Sequence, residues 1–290
     1  MILNLGDICH IAEQHEMALA AFNVPSLEAL RAVLDAAEET GYPVIIQHAE
    51  CHEEMVPLRV MGPAMVALAE CSSAQVCVHL DHCEHLSYMR EALELGFSGA
   101  MFDGSMLPYE KNVELSAYAA EMCAPYNCGL ECELGSMGAR EGGDDAQNPA
   151  AQAMYTNPEL VSDFVAATGL DILACSFGTV HGLYRGEPKL SIEILNQIRE
   201  RVHIPLVMHG GSGVSDDDYR RAIEAGIRKI NYYTYGVKYA AEAVLSLVDS
   251  ARTAGTTLYW HDMTGAAYER MRQDAVRVMT VFANGAAPVC

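Results

Sequence analysis

Three histidines in this chain each follow a short apolar run at a point where the chain must leave an extended segment. Asp81-His82 follows residues 75–80. His181 ends the run Ser176-Phe177-Gly178-Thr179-Val180-His181 after residues 171–175. His209 opens His209-Gly210-Gly211-Ser212-Gly213 after residues 205–208. Carboxylates stand at matching places, Asp103 after residues 99–102 and Glu131 and Glu133 within 129–133. Three imidazoles with an open coordination position are the ligand set of a catalytic zinc. Such an ion polarises a carbonyl and holds the enolate oxygen formed from it. Co²⁺ and Mn²⁺ suit the same donors. One histidine alone reads as a hydrogen-bonded rim residue, and the three matched positions are what favour a metal. His10, His15, His52, His85, His203 and His261 lack such placement and are expected to be surface or structural. His48 and His79 lie close to a strand end or inside a strand. Gly210, Gly211, Ser212 and Gly213 let backbone N–H groups approach an anion, and a helix that follows would present its positive N-terminus to a phosphate.

What must position these groups is a repeating unit, a short apolar run and then a longer amphipathic one. Candidate strands are residues 18–24, 43–47, 75–80, 99–102, 129–133, 171–175, 205–208 and 229–231. Helices over 26–40, 84–95, 157–168 and 215–225 carry the expected punctuation. Ser26 stands as an N-cap and Gly41 follows the end. Pro158 opens one helix and Gly169 closes it, and Ser215 precedes three aspartates that suit a helix dipole. Eight such units in about 250 residues predict an α/β fold, a (β/α)8 TIM barrel. The rival, an open doubly wound sheet, should carry a G-x-G-x-x-G turn, and none is present. Without a Pro-, Gly- or Ser-rich linker, residues 1–290 read as a single barrel domain, with 259–283 a C-terminal helical extension. The segment 135–155, glycine-rich and polar, reads as a mobile lid. In a barrel the functional groups gather at the C-terminal ends of the strands, where the histidines and carboxylates fall.

Composition limits the partners. The 39 acidic and 18 basic side chains give a net charge of −21, which repels nucleic acid and anionic membranes. No apolar run reaches the ~18 residues of a membrane span, and the first ten residues do not read as a signal peptide. Ten cysteines are scattered without a C-x-x-C pair, and several lie in apolar runs, so a reducing cytoplasm is expected.

Taken together, the motifs resemble the class II, metal-dependent fructose-bisphosphate aldolases, in the branch of tagatose- and other ketose-bisphosphate aldolases. The resemblance runs from Ala21-Phe22-Asn23-Val24 to about Thr234, roughly three quarters of the chain. Its most specific parts are Val78-His79-Leu80-Asp81-His82-Cys83 and Leu130-Glu131-Cys132-Glu133-Leu134-Gly135, the latter continuing to Glu141. It implies that His82, His181 and His209 ligate Zn²⁺. It implies that Asp81 moves the C4 hydroxyl proton and that Glu141 exchanges the C3 proton of dihydroxyacetone phosphate. Asp103 and Glu133 match positions that hold the metal in a second, less buried pose. Asn23, Gly182, Gly210, Gly211, Ser212, Asn231 and Thr234 match the substrate site, with Gly182 and Ser212 helping to hold a monovalent cation. The implied activity is retro-aldol cleavage of a ketose 1,6-bisphosphate to dihydroxyacetone phosphate and an aldehyde, by a cytoplasmic homodimer or homotetramer.

Schiff-base chemistry needs a desolvated lysine on an inner strand. Lys111 and Lys238 lie on helix-like segments, Lys189 in a loop, and Lys229 opens the last strand at the far end of the barrel, so covalent catalysis is not expected. The chain departs from the family pattern at Gln47-His48-Ala49-Glu50-Cys51-His52, where relatives have a serine, and at Tyr232-Tyr233, where they have small or acidic residues. Arg270, Arg272 and Arg277 are candidates for a distal phosphate. The alternatives are an aldolase for a ketose 1-phosphate with a non-phosphate tail, a metal-dependent hydrolase, and a catalytically silent zinc-binding paralogue that partners another subunit.

Overall fold

The computed structural model describes residues 1–135, 155–184, 186 and 188–289. Eight parallel strands close into a barrel in sequence order: β1 (Leu19–Asn23), β2 (Val44–Ala49), β3 (Val76–Cys83), β4 (Gly99–Phe102), β5 (Gly129–Leu134), β6 (Ile172–Cys175), β7 (Leu206–Met208) and β8 (Ile227–Tyr232). The helices are α1 (Leu5–Gln14), α2 (Leu27–Thr40), α3 (Leu58–Cys71), α4 (Leu86–Glu94), α5 (Tyr109–Cys123), α6 (Pro158–Thr168), α7 (Ile192–Arg199), α8 (Asp216–Glu224), α9 (Thr234–Ala254) and α10 (Trp260–Phe282). The caps read from the sequence form. Ser26 Oγ accepts from the N–H of Ala29 at 3.2 Å, Asn157 Oδ1 from that of Glu159, and Ser215 Oγ from that of Asp218. Gly41 and Gly169 close their helices in the left-handed region.

Helix α1 is an element the strand–helix pattern did not anticipate. Leu5, Ile8, Cys9 and Ala12 form one apolar stripe, and they pack with Leu19, Ala21, Ile45, Cys77, Ile172, Ala174 and Val207 from the inward faces of the strands. This plug seals the N-terminal mouth. A second, larger core lies between the outer faces of the strands and the helix ring. The predicted C-terminal helix forms as α10 and buries Ala275, Val278, Met279 and Phe282.

The seal needs glycine where α1 meets the barrel floor. A Cβ on Gly129 would stand 2.8 Å from the backbone N of Gly6 and 2.9 Å from Leu5 Cβ. Neither contact is with the free end of a flexible side chain, so Gly129→Ala is expected to lower stability by about 1–3 kcal/mol. Urea unfolding with an unchanged slope and a lower midpoint would confirm it, and a wild-type midpoint would refute it.

Candidate active site

Strand alternation aims Asn23, Gln47, His79, Asp81, Glu131, Glu133, Lys229 and Asn231 at the barrel axis, above the apolar plug. All eight are buried. Asp81 and His82 are sequence neighbours and would ordinarily face opposite ways. The β3–β4 register breaks between Leu80 and Cys83, and His82 sits at φ 44°, a left-handed conformation that costs a non-glycine residue energy. The bulge turns His82 so that it joins Asp81 at the mouth.

The three predicted imidazoles come together. Their ring centroids are 4.5 Å (His82–His209), 4.9 Å (His82–His181) and 5.9 Å (His181–His209) apart. One ring nitrogen from each lies within 4.8 Å of the others. Two of the three rings are clamped by carboxylates. His82 Nδ1 donates to Asp103 Oδ2 at 2.9 Å, and His209 Nε2 to Glu131 Oε1 at 2.6 Å. The clamps fix the tautomers and leave His82 Nε2 and His209 Nδ1 as buried nitrogens without a hydrogen bond among the described residues. A divalent cation fits this donor set.

Asp103 and Glu133 were expected to hold a metal in a less buried pose. The structure groups both with His82 as a second set of potential ligands, but a buried one. Asp103 Oδ1 also accepts from the N–H and Oγ of Ser105, at 3.1 and 2.7 Å. Glu131, noted only as a rim carboxylate, lies deeper and is the hub. Its Oε2 is 2.9 Å from Lys229 Nζ and 3.4 Å from His79 Nε2. Lys229 is the clearest correction. Strand β8 begins two residues earlier than expected, so Lys229 lies inside the barrel and is fully buried. Its ammonium also donates to Asn231 Oδ1 at 2.7 Å.

Asp81 is held by two amides. Asn231 Nδ2 donates to Oδ1 at 3.1 Å and Asn23 Nδ2 to Oδ2 at 3.0 Å, while Gln47 Nε2 reaches Asn23 Oδ1 at 3.5 Å. Burial alone would raise the Asp81 carboxyl, but the neighbouring His82, then Lys229 and His209, hold it well below the usual range. His82 shows the reverse balance. Burial opposes its charge, yet Asp81 and Asp103 push it up to about 10. Burial also works against the Glu131 carboxylate, and Lys229 and His209 overcome it.

The loops after β6, β7 and β8 make the predicted cradle. A Cβ on Gly210 would lie 2.4 Å from Val180 O, and one on Gly211 2.8 Å from Asn231 O, so only glycine lets the three loops close up. Tyr184 ties two of them together, its hydroxyl donating to Gly210 O at 2.8 Å and accepting from the N–H of Val180 at 3.2 Å. Ser212 Oγ accepts from the N–H of Tyr233 at 2.9 Å. Gly182 stands at φ 86°, and Thr234 opens α9. Glu141 lies outside the described residues. Of the candidate arginines, Arg277 pairs with Asp274 and Asp216, Arg272 with Glu269 and Glu39, and Arg270 covers the Tyr239 ring. His48 and His52, the latter expected at the surface or in a structural role, are both buried.

A closed parallel barrel with a carboxylate-clamped imidazole cluster at its C-terminal mouth defines a (β/α)8 enzyme. The chain belongs to the class II fructose-bisphosphate aldolase family, whose profile, Fructose-bisphosphate aldolase class-II, matches residues 3–286. It is an aldolase, a carbon–carbon lyase. It is 39% identical over 223 residues to the D-tagatose-1,6-bisphosphate aldolase subunit GatY of Klebsiella oxytoca, covering 77% of this chain and 78% of that protein. Among solved structures it is similar to the YdjI aldolase of Escherichia coli K12, with a TM-score of 0.85, 28% identity, and 98% and 99% of the two chains covered. The fructose-bisphosphate aldolase of Campylobacter jejuni shares the fold, with a TM-score of 0.80, 24% identity, and 97% and 95% covered.

Removing the Glu131 charge tests the hub. Glu131→Gln leaves Lys229 without its buried counter-charge and should cost about 3 kcal/mol or more at neutral pH. The depressed Glu131 carboxyl contributes stability that is full above the unfolded value of about 4.3 and is lost as pH falls through the folded one. The metal-free variant should therefore lose stability less steeply on acidification, by up to about 1.4 kcal/mol per pH unit. Urea unfolding across that range measures it, and an acid slope equal to wild type would remove Glu131 from the titrating set.

Proposed function

We propose that this aldolase cleaves a ketose 1,6-bisphosphate, of fructose or tagatose type, between C3 and C4 to give dihydroxyacetone phosphate and an aldehyde. The observation that carries the proposal is the Asp81 carboxylate, held by Asn23 and Asn231 beside three clustered imidazoles. His82 Nε2, His181 and His209 Nδ1 would hold a divalent ion, Zn²⁺ with Co²⁺ or Mn²⁺ as substitutes. Such an ion supplies a Lewis acid for the ketone oxygen and the negative charge that develops there.

The protein's own residues do the rest. Asp81 takes the C4 hydroxyl proton as the C3–C4 bond breaks. The new C4 carbonyl leaves with the aldehyde half, and the bond's electron pair stays with the C3 half. The two amides fix the plane of the Asp81 carboxylate, which places an oxygen for that transfer. Glu141 returns a proton to C3, a role that rests on the family resemblance. Gly182, Gly210, Gly211, Ser212, Asn231 and Thr234 bind the donor phosphate and hydroxyls, and by the family resemblance Gly182 and Ser212 would help hold a monovalent cation. Asp103 and Glu133 would, with His82, offer the metal an alternative seat.

Among the described residues no helix is long and apolar enough to cross a membrane. The acidic composition and free cysteines support a cytoplasmic enzyme. A homodimer or homotetramer is supported by the family resemblance and by α9, which buries only Ala240 and Ala251 along 21 residues.

The test is dihydroxyacetone phosphate release from fructose and tagatose 1,6-bisphosphates, with chelator and then added zinc. Release that chelator abolishes and zinc restores is the expected result, and the faster sugar sets the C4 preference. Zinc-loaded protein that releases nothing from either sugar would overturn the substrate assignment. Asp81→Ala should keep its zinc and lose turnover by at least about 100-fold, whereas His209→Ala should lose zinc itself. Normal turnover in the first, or full zinc stoichiometry in the second, would remove that residue from its role.

A further inference from the structure

His52 lies on a short 3₁₀ turn, Glu50–His52, directly after β2, and is 3% exposed. The register shows what it overlooks. Ala49, the last residue of β2, pairs with Asp81, so the turn carries His52 above the mouth on the Asp81 side, where that carboxylate acts on the imidazole. Tyr233 comes from the other direction. It follows β8, and its ring rests against His52 with centroids 5.0 Å apart and planes tilted by 48°. Strands β8 and β2 are not neighbours, because β1 runs between them. The ring pair therefore spans the end of β1, where Asn23 holds Asp81. His52 Nε2 is buried there with no hydrogen-bond partner among the described residues. His48, next to the inward-facing Gln47 on β2, lies on the opposite face of the strand and bonds the Tyr88 hydroxyl at 2.9 Å.

The reading proposed above places the donor half between the imidazoles and the glycine loops after β6 and β7. The aldehyde half must then leave Asp81 on the remaining side of the mouth, over β1 and β2. We infer that His52, braced by the Tyr233 ring, binds the hydroxyl on the aldehyde-half carbon next to the new carbonyl, so that the site selects 2-hydroxyaldehydes. The inference rests on the proposed aldol chemistry and adds a specificity-determining pair to it. Burial lowers the His52 pKa, which keeps the ring neutral and suits it to a hydroxyl rather than to a phosphate or carboxylate. Ala49, the last residue of β2, presents only a methyl group.

Glycolaldehyde and acetaldehyde differ by that hydroxyl alone, so the test is their condensation with dihydroxyacetone phosphate on the zinc-loaded enzyme. Wild type should favour glycolaldehyde in kcat/KM. His52→Ala should shrink that preference by about tenfold, the worth of one hydrogen bond, and His52→Gln should restore part of it. Proton exchange at the hydroxymethyl carbon of dihydroxyacetone phosphate, which becomes C3 of the ketose, reads the donor half separately without aldehyde and should persist in both variants. Equal losses on the two aldehydes, or a matching loss of proton exchange, would make His52 a structural residue and overturn the inference. Wild-type enzyme that exchanges the proton yet shows no preference for glycolaldehyde would overturn it alone. Wild-type enzyme with neither exchange nor condensation would overturn the aldol reading and the inference with it.

Discussion

The site depends on one buried contact, the Lys229 ammonium against the Glu131 carboxylate inside the barrel. Both side chains are fully removed from water, where an unpaired charge is costly. The pair is tolerable because each partner has further bonds. Lys229 donates onward to Asn231, which bonds one oxygen of Asp81, and Glu131 accepts from His209. A single positive charge thus orients the candidate general base on β3 and a candidate metal ligand on β7. Displacing the Lys229 head group would disturb both, since Asn231 and Glu131 are buried beside it.

The second constraint is geometric. A regular strand cannot aim Asp81 and His82 at the same space, because its side chains alternate. The bulge at the end of β3 solves this at the cost of a left-handed His82, and Asp103 compensates by gripping His82 Nδ1. The opposite mouth is closed by α1, whose tight seat on Gly99 and Gly129 fixes the strands' lower ends. Rigidity below and strain above are consistent with a site whose distances must not drift.

Much of this was legible in the sequence, for identifiable reasons. Barrel strands are short and apolar, and the residue after each run falls at the C-terminal mouth. The eight strands, and the gathering of His82, His181 and His209, therefore followed from position. The roles of Glu131 and Lys229 did not. Each depends on a cross-barrel distance between strands 78 or more residues apart in sequence, and a two-residue error in the start of β8 put Lys229 at the wrong end. Helix α1 carried its signal in Leu5, Ile8, Cys9 and Ala12, spaced for one helical face, but only its packing shows that it plugs the floor. His52 was unreadable as a site residue because its partner, Tyr233, comes from the other end of the chain.

Charge explains why such a centre calls for a cation. Asp81, Asp103, Glu131 and Glu133 are all buried, and among the described residues Lys229 and, without metal, a protonated His82 are the positive groups that face them. A divalent ion that displaces the His82 proton adds one net positive charge among these carboxylates, and burial keeps that attraction strong. The chain's overall charge of −21 works against anionic substrates in general. In the proposed reaction phosphate recognition is therefore local, built from the glycine amides and the N-termini of α8 and α9.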